Sequence, residues 1–324
     1  MKMNTSLAYD PGYGNIKFFG SNSGLIIQSA VSVGDSQRVG RMAGLRRSKP
    51  PLRVETNAGV FHVGPGAHDW GRPVENLDPE RLTGSPEMMA LWYGALTRYG
   101  MLSAPIDLIV GLPIHVLMGD DAQATQQAVR RSLQGEHAWL ADGTRYAVEV
   151  SKVRLTSQPV GAMFDYLLED DGDMPAARQG AFKGEIAILG IGMNSMDLLV
   201  VRSGSPVQRF TAGDTLGVRR LLELAQDGAP YSLAEKDAML RSGDLQIGEA
   251  LRVWQSEVLG FIEQRWSAAF RRFHVVIAAG GGSLLLREAL LRRFREKLHL
   301  PDDPLIATAR GLHKFLLMTA KRGR

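Results

Sequence analysis

Short apolar runs broken by glycine turns alternate along this chain with longer amphipathic segments. Residues 5–9 are apolar, the turn at 10–14 holds Pro and two Gly, and residues 16–19 resume the apolar run, which predicts two strands joined by a tight turn. A second pair of strands around a glycine turn is predicted at residues 185–189 and 197–202. A strand–turn–strand unit therefore opens each half of the chain.

The remaining pattern predicts strands and helices in both halves. Residues 106–112 are predicted as a buried strand, and residues 275–279 as a fully apolar strand that leads into three consecutive glycines. Residues 52–63 and 146–155 are also predicted as strands, and residues 170–184 are a polar segment predicted as a domain boundary. Helical spacing predicts helices at residues 85–98, 120–133, 159–168, 216–226, 247–270, 283–298 and 311–320. The pattern favours an α/β protein of two related domains with a cleft between them.

The amino-acid composition restricts the classes of protein to which this chain can belong. The 324 residues are 44% hydrophobic and 22% charged, an ordinary globular balance, and no apolar run reaches membrane-spanning length. The chain has no cysteine, which excludes disulfides, and its histidines form no zinc-binding spacing. We therefore expect a soluble cytoplasmic protein without a membrane partner. The net charge is +4, and clusters of Arg and Lys suit either solvated faces or contact with DNA or an acidic partner. Residues 40–51, rich in Arg, Gly and Ser, are predicted to form a loop.

The glycine turns are candidate phosphate sites, since backbone N–H groups in such turns can surround phosphate oxygens. None is a Walker loop, and Gly12-x-Gly14 lacks the third glycine of a dinucleotide fingerprint, which disfavours a Rossmann oxidoreductase. The first turn places a carboxylate, Asp10, seven residues before a cation, Lys17, an arrangement suited to a metal and phosphates. The glycines at 280–282 lead into a helix N-terminus, which favours negative charge.

Four segments in order resemble the motifs of the actin/Hsp70/sugar-kinase superfamily. Residues 10–17 resemble its first phosphate motif and residues 191–197 its second. Residues 275–285 resemble its adenosine motif, and residues 309–315 are similar to the connector that returns the chain to the first domain. The resemblance implies the ribonuclease H-like fold of that superfamily, with two related domains around a nucleotide cleft.

Three further segments narrow the resemblance to ParM/StbA-like plasmid segregation proteins and archaeal actin-like proteins. Val110-Gly111-Leu112-Pro113 resembles their strand end, residues 158–162 their water-positioning segment, and residues 210–218 the stretch after the second hairpin. The resemblance implies domain I at residues 1–176, joined by a C-terminal helix at 309–324, and domain II at 177–308.

The resemblance also assigns roles to single residues. Asp10 is expected beside Mg²⁺, and Gln158 is expected to orient the attacking water, although a helix cap beside Ser157 is an equal alternative for Gln158. The residues expected to bind ATP or GTP are Gly12, Tyr13, Gly14, Asn15, Lys17, Gly192, Met193, Asn194, Ser195, Asp197, Gly213, Asp214, Gly280, Gly281, Gly282 and Ser283. For Asp197, an equal alternative is that it satisfies turn backbone groups.

One position departs from the family pattern. The second phosphate motif normally begins with Asp, and this chain has Gly190 there. Because that carboxylate supports the metal and the attacking water, its loss is expected to slow hydrolysis by about 10²-fold or more, while nucleotide binding survives.

Three functions follow from the resemblance. The first is a nucleotide-dependent filament that segregates plasmid or mobile-element DNA, self-associating head to tail and reaching DNA through an adaptor protein. The second is a small-molecule kinase or phosphatase of the same superfamily. The third is a non-polymerising nucleotide-binding module with almost no turnover, which Gly190 favours.

Overall fold

The computed structural model describes residues 4–21, 23–34, 49–100, 104–225 and 231–322, whose strands form two separate sheets. Most of the predicted loop at 40–51 lies outside the described residues. The first sheet has ten strands in the order β3-β2-β1-β8-β10-β9-β5-β6-β4-β7. Its strands are β1 (Thr5–Pro11), β2 (Asn15–Gly20), β3 (Ser23–Gln28), β4 (Val31–Val33), β5 (Leu52–Thr56), β6 (Gly59–Val63), β7 (Arg72–Pro73), β8 (Ile106–Leu112), β9 (Gly135–Ala141) and β10 (Thr144–Ser157).

The second sheet contains the strands of the later half of the chain. Its order is β13-β12-β11-β15-β16, and β14 pairs with β12 beside that path. Its strands are β11 (Glu185–Ile191), β12 (Met196–Arg202), β13 (Ser205–Pro206), β14 (Ala212–Asp214), β15 (Val275–Ala279) and β16 (Leu298–His299).

Both sheets contain the same local unit. β1 pairs antiparallel with β2 and parallel with β8, and β11 pairs antiparallel with β12 and parallel with β15. The predicted strand–turn–strand units are therefore confirmed. The register sets Asp10 opposite Lys17 in the first unit and Gly190 opposite Asp197 in the second. Residues seven apart in the chain thus become neighbours beside the turn of each hairpin.

The helices agree with the predicted pattern except at three places, which are residues 176–183, 233–242 and 283–298. They are α1 (Pro86–Tyr99), α2 (Ala122–Leu133), α3 (Gln158–Leu167), α4 (Ala176–Lys183), α5 (Val218–Leu224), α6 (Leu233–Ser242), α7 (Gly248–Trp266), α8 (Gly281–Leu285), α9 (Arg287–Phe294) and α10 (Ala307–Arg322). Short 3-10 helices lie at Ala67–Asp69, Pro79–Thr83, Ile114–Leu117, Gln208–Phe210, Ser267–Arg272 and Arg295–Lys297.

The single helix predicted at 283–298 is wrong. The chain breaks at the buried Leu286 (φ −98°, ψ 4°), and a positive φ of 52° at Arg295 ends the second piece. The last two residues of that range lie in other elements, because Lys297 ends the 3-10 helix Arg295–Lys297 and Leu298 begins β16. The polar segment at 170–184 is also not wholly loop, because α4 occupies its second half with Pro175 before it.

Each sheet buries its own apolar core. Trp92 packs with Tyr9 and Phe18 at ring-centroid distances of 4.8 and 5.1 Å in the first core. Trp254 and Trp266 are fully buried in the second core. Their indole N–H groups donate to the carbonyls of Leu216 and Phe210 at 2.9 and 3.0 Å. The two tryptophans therefore fix the segment between β12 and α5.

Two helices lie between the sheets and cross at very short range. α10 packs on α3 and on β1 of the first sheet. A Cβ atom on Gly311 would lie 1.9 Å from the carbonyl oxygen of Gly161, so the crossing requires glycine. Arg310 clamps the crossing by donating two hydrogen bonds of 2.6 Å to Asp165. The chain end is thereby held beside the first sheet.

Candidate nucleotide site

A cleft of about 1230 Å³, counting the part open to solvent, lies between the two strand–turn–strand units. Its lining includes fourteen of the residues predicted from the sequence. They are Asp10, Gly12, Tyr13, Gly14, Asn15, Lys17, Gln158, Gly192, Met193, Asn194, Ser195, Asp197, Gly280 and Gly281. The four other predicted residues, Gly213, Asp214, Gly282 and Ser283, are not part of this lining. The cleft is large enough for a nucleoside triphosphate.

Asp10 lies at the end of β1 with its carboxylate 2% exposed. One oxygen accepts a hydrogen bond of 2.8 Å from the Lys17 ammonium, and the other accepts one of 2.6 Å from the Gln158 amide. Gln158 is 148 residues away in the chain and begins α3. The structure therefore brings both predicted catalytic residues into direct contact.

The first glycine turn is braced from the side by the end of β3. The Ser29 hydroxyl donates to the Gly12 carbonyl at 2.7 Å, and the Ser29 N–H donates to the Gly14 carbonyl at 3.0 Å. A Cβ on Gly12 would lie 2.6 Å from the Asn15 carbonyl oxygen, so the turn can close only with glycine there. The Arg81 guanidinium stacks on the Tyr13 ring at 4.0 Å. The turn is thus held in one shape.

The second turn is anchored to the start of α5. The N–H groups of Val218 and Arg219 donate to the carbonyls of Gly192 and Met193 at 3.0 and 2.7 Å. The two turns also meet each other, because a Cβ on Gly14 would lie 2.9 Å from the Met193 Cβ. Glycine lets the two lobes approach closely at this point.

Asp197 faces the cleft from the second hairpin with a carboxylate that is 3% exposed. Burial raises its pKa to about 7, the Ile114 N–H that donates to it lowers the pKa, and the charge of Asp10 raises it. Gly190 stands opposite on β11, and a Cβ there would lie 3.6 Å from the Asp197 Cβ, an ordinary contact. The absence of the usual carboxylate at Gly190 therefore does not result from lack of space.

The third turn closes the base of the cleft. Gly280 has φ 89°, and a Cβ on it would lie 2.3 Å from the Ile191 carbonyl oxygen. Ser283 is fully buried and its hydroxyl donates to the Gly280 carbonyl at 2.6 Å, so it supports the turn from behind. The Cα atom of Gly282 packs against the Ile191 side chain, and a Cβ there would lie 2.3 Å from a carbon of that side chain. These contacts explain why Gly282 and Ser283, two of the four predicted residues that are not in the lining, lie behind it.

The other two predicted residues lie on β14, away from the lining. Gly213 pairs with Asp197 across the sheet, and a Cβ on it would lie 3.1 Å from an oxygen of that carboxylate. Asp214 is exposed and its carboxylate accepts from the Thr215 N–H at 2.6 Å. Gly213 therefore supports Asp197, and Asp214 forms a local turn.

Sequence reasoning missed the contribution of α6. Asp237, Leu240 and Arg241 from this helix line the cleft, and Arg241 donates to Asp237 at 2.8 Å. The helix had a recognisable start, because Ser232 and Glu235 form a reciprocal capping box. Its weak apolar pattern hid it, since Asp237 is its one buried residue.

α6 also touches the opposite lobe above the cleft. The Ala234 N–H donates to the Glu75 carboxylate at 3.2 Å, and the Gln28 amide approaches Asp237 at 3.5 Å. Gln28 directly precedes Ser29, which braces the first glycine turn. The helix therefore connects the second lobe to the phosphate turn of the first.

The residues of the cleft fit a nucleotide. Three glycine turns form a cradle in which a Cβ on Gly12, Gly14 or Gly280 would lie 2.9 Å or less from a neighbouring atom. The Lys17 ammonium and the Arg241 guanidinium are cations in the lining. Two buried polar atoms at the cleft, the Tyr13 hydroxyl and the Asn194 side-chain oxygen, lack a hydrogen-bond partner among the described residues. No cluster of three or more metal-binding side chains occurs in the described part of the chain. One carboxylate, Asp10, suits Mg²⁺, which keeps most of its waters and shares phosphate oxygens.

Fold and cleft together define a two-lobed α/β protein with glycine turns that face each other across a deep crevice. Residues 8–161 match the family model of the N-terminal domain of actin-like proteins. No curated protein sequence matches the chain. Within the ranges given above, the structure shows no helix that is long and apolar enough to cross a membrane.

Solved structures of actin-like proteins match the whole chain. The apo ParM protein of psk41 has a TM-score of 0.74 at 16% identity, with 100% of each chain covered. The archaeal actin homolog Ta0583, in complex with ADP, has 0.71 at 19% identity, covering 99% of this chain and 100% of that one. A 15-stranded ParM filament from Clostridium botulinum has 0.68 at 18% identity, covering 97% and 99%. The chain therefore has the actin-like fold of ParM, as the sequence motifs predicted, and its residues 8–161 are similar to the N-terminal domain of actin-like proteins.

Proposed function

We propose that this protein binds ATP or GTP with Mg²⁺ between domain I (residues 1–176 and 309–324) and domain II (177–308) and polymerises. The observation that carries the proposal is the contact of the two glycine turns, where Gly14 and Met193 meet across the cleft beside Asp10 and Lys17. A triphosphate placed there contacts backbone N–H groups of both lobes, so its presence biases how far the lobes close.

The residues of the site have distinct roles in this proposal. Lys17 neutralises phosphate charge, the glycine turns donate N–H groups, and Asp10 holds a water of the metal shell. Bound Mg²⁺ supplies charge neutralisation for the phosphates. Gln158 lies within hydrogen-bond distance of Asp10 and orients a water at the cleft floor. Asp197, with its pKa near 7, accepts or releases a proton at this floor in the physiological range.

Filament formation rests on the similarity to ParM, including a ParM filament. A head-to-tail contact that does not close into a ring produces a helix of subunits. We propose that the filament segregates plasmid or mobile-element DNA in the cytoplasm through a DNA-bound adaptor. Light scattering with ATP, GTP and a non-hydrolysable analogue tests assembly, and electron microscopy identifies filaments. Absence of assembly with every nucleotide, well above micromolar protein, would contradict this part of the proposal.

Gly190 supports a second candidate, a nucleotide-binding module with little turnover. Because a Cβ at this position meets only ordinary contacts at 3.6–4.0 Å, Gly190→Asp is expected to fold. If the remaining site is intact, this variant raises phosphate release by about 10²-fold, the usual contribution of one positioned catalytic group. Gly260→Asp, on an open face of α7, adds the same charge elsewhere and serves as the control. Unchanged turnover in Gly190→Asp would contradict the assigned role of this position.

A further inference from the structure

One segment of the second lobe has a clear excess of positive charge. Between Glu263 and Lys297 the sequence has eight Arg or Lys and three Glu, a net charge of +5. Because the whole chain has +4, all other residues together have −1. The segment comprises the end of α7, the 3-10 helix Ser267–Arg272, β15, α8, α9 and the 3-10 helix Arg295–Lys297.

These elements contact one another, so their basic side chains lie in adjoining parts of the second lobe. Arg293 on α9 forms an ion pair with Glu263 on α7 and donates to the Ser267 carbonyl at 3.3 Å. Its guanidinium also stacks on the Phe270 ring at 3.9 Å. Lys297 donates to the Phe273 carbonyl at 2.5 Å. The end of α7, the first 3-10 helix and α9 are therefore joined side by side.

Five arginines of this region are exposed and have no carboxylate partner. Among the described residues, no ion pair involves Arg265, Arg271, Arg287, Arg292 or Arg295. Unlike Arg272, which pairs with Glu185 at 2.6 Å, they are free to bind an external anion. We name these five residues the arginine surface.

Backbone strain occurs at two places in the same region. Ser267 has φ 39° and ψ −129°, and Arg295 has φ 52° and ψ −129°, values that non-glycine residues rarely adopt. The other positive-φ residues of the described chain that are not glycine, Asp142 and Ser203, each precede a glycine in a strand–strand turn. At Arg295 glycine would relieve the strain, and the chain has arginine instead. Retention of strained residues is typical of sites with a function.

We propose that the arginine surface binds the phosphate backbone of DNA directly and without sequence preference. α9 spans eight residues, or about 12 Å, with Arg287 at its start and Arg295 directly after its end. A DNA strand presents phosphates at about 3.4 Å of axial rise, so several of them face this span. The centre of an interface with an acidic protein would be apolar and depleted of charge. In this segment, which lies wholly within the described ranges, only two large apolar residues, Leu284 and Leu291, are exposed, which is too few for such a centre.

The proposal goes beyond an adaptor-mediated link to DNA and depends on neither nucleotide binding nor polymerisation. The test uses the full chain without nucleotide and a fluorescein-labelled 30-base-pair duplex, with anisotropy read at KCl concentrations from 50 to 200 mM. If five phosphates are neutralised, the slope of log K against log salt is about −4.5. The triple variant Arg271→Glu, Arg287→Glu, Arg292→Glu is expected to have a slope no steeper than about −2 and at least about tenfold weaker binding at 50 mM.

A matched control separates this surface from net charge. The triple variant Arg98→Glu, Arg131→Glu, Arg145→Glu makes the same charge change at exposed arginines of the first lobe and is expected to keep the wild-type slope. Equal losses in both triple variants, or wild-type binding without salt dependence, would overturn the proposal. Displacement of the duplex by poly-glutamate at equal charge concentration would also overturn it, in favour of an acidic protein partner.

Arg295→Gly provides a readout that a purely structural role would not give. Because glycine adopts φ 52° without strain, we expect an unchanged or higher melting temperature together with about threefold or greater loss of DNA affinity. A lower melting temperature with unchanged affinity would show that Arg295 is structural and would remove it from the surface.

Discussion

Replacing Asp197 by Asn is expected to stabilise the nucleotide-free protein at neutral and alkaline pH. The Asp197 side chain is 3% exposed, and one of its oxygens accepts the Ile114 N–H at 3.3 Å. Asparagine keeps that accepting oxygen and nearly the same volume, so it preserves the contact. It removes the negative charge that burial and the nearby Asp10 disfavour.

The direction and the size of the expected change in stability follow from the pKa of Asp197. Burial raises this pKa from 3.8 to about 7, so between these values the folded state holds a proton that the unfolded state has released. The contribution of this group is therefore fully present below pH 4 and is lost as the pH rises through 7. About three pKa units correspond to about 4 kcal/mol in the free energy of unfolding. With an unfolding entropy of about 2.1 cal/mol/K per residue, this chain would shift by about 6 °C in Tm.

The assay is thermal unfolding of wild type and Asp197→Asn at pH 5, 6, 7 and 8, in EDTA and without nucleotide. The Tm of the variant should exceed that of wild type slightly at pH 5 and most strongly at pH 8. Asp120→Asn, at an exposed carboxylate, is the control and should give no pH-dependent difference. A Tm difference that stays constant with pH, or a less stable variant at pH 8, would refute the reasoning about burial.

Two further substitutions test the contacts between elements. Gly311→Ala should lower the free energy of unfolding by about 3 kcal/mol or more in a denaturant titration, because its Cβ would meet the Gly161 carbonyl oxygen at 1.9 Å and neither backbone can yield. Glu75→Ala removes the acceptor of the Ala234 N–H at 3.2 Å, and release of a fluorescent nucleotide should accelerate by about two- to fivefold, as expected for a contact of about 0.5–1 kcal/mol.

Each of these substitutions has a control of the same chemistry. Gly180→Ala lies in α4 with no atom within 4 Å of its Cβ, so it should be neutral or slightly stabilising. Loss of stability equal to that of Gly311→Ala would show that the helix crossing is not the cause. Glu80→Ala removes an exposed carboxylate of the same lobe that makes no contact with α6. If it accelerates release as much as Glu75→Ala, the effect comes from charge alone.

The sequence predicted the elements whose signals are local. The glycine turns between apolar strands gave the two hairpins, and the helical spacing at residues 85–98 gave α1, which has Ser85 as its N-cap. The single helix predicted at 283–298 was wrong, because burying Leu286 and the positive φ at Arg295 break it, and neither is encoded in helical spacing. α6 was missed because its apolar pattern is weak, with Asp237 as its one buried residue, and its contact with Glu75, 159 residues before Ala234, is formed only in the folded chain.

By itself the sequence determined which residues form tight turns and which side chains stand opposite in a hairpin, because strand register and glycine conformation act over a few residues. Asp10 opposite Lys17 follows from that register. Only the tertiary structure decided that Gln158 reaches Asp10 and that Gly14 meets Met193. It also decided the pKa of Asp197, since desolvation is produced by the whole set of groups that close around a carboxylate.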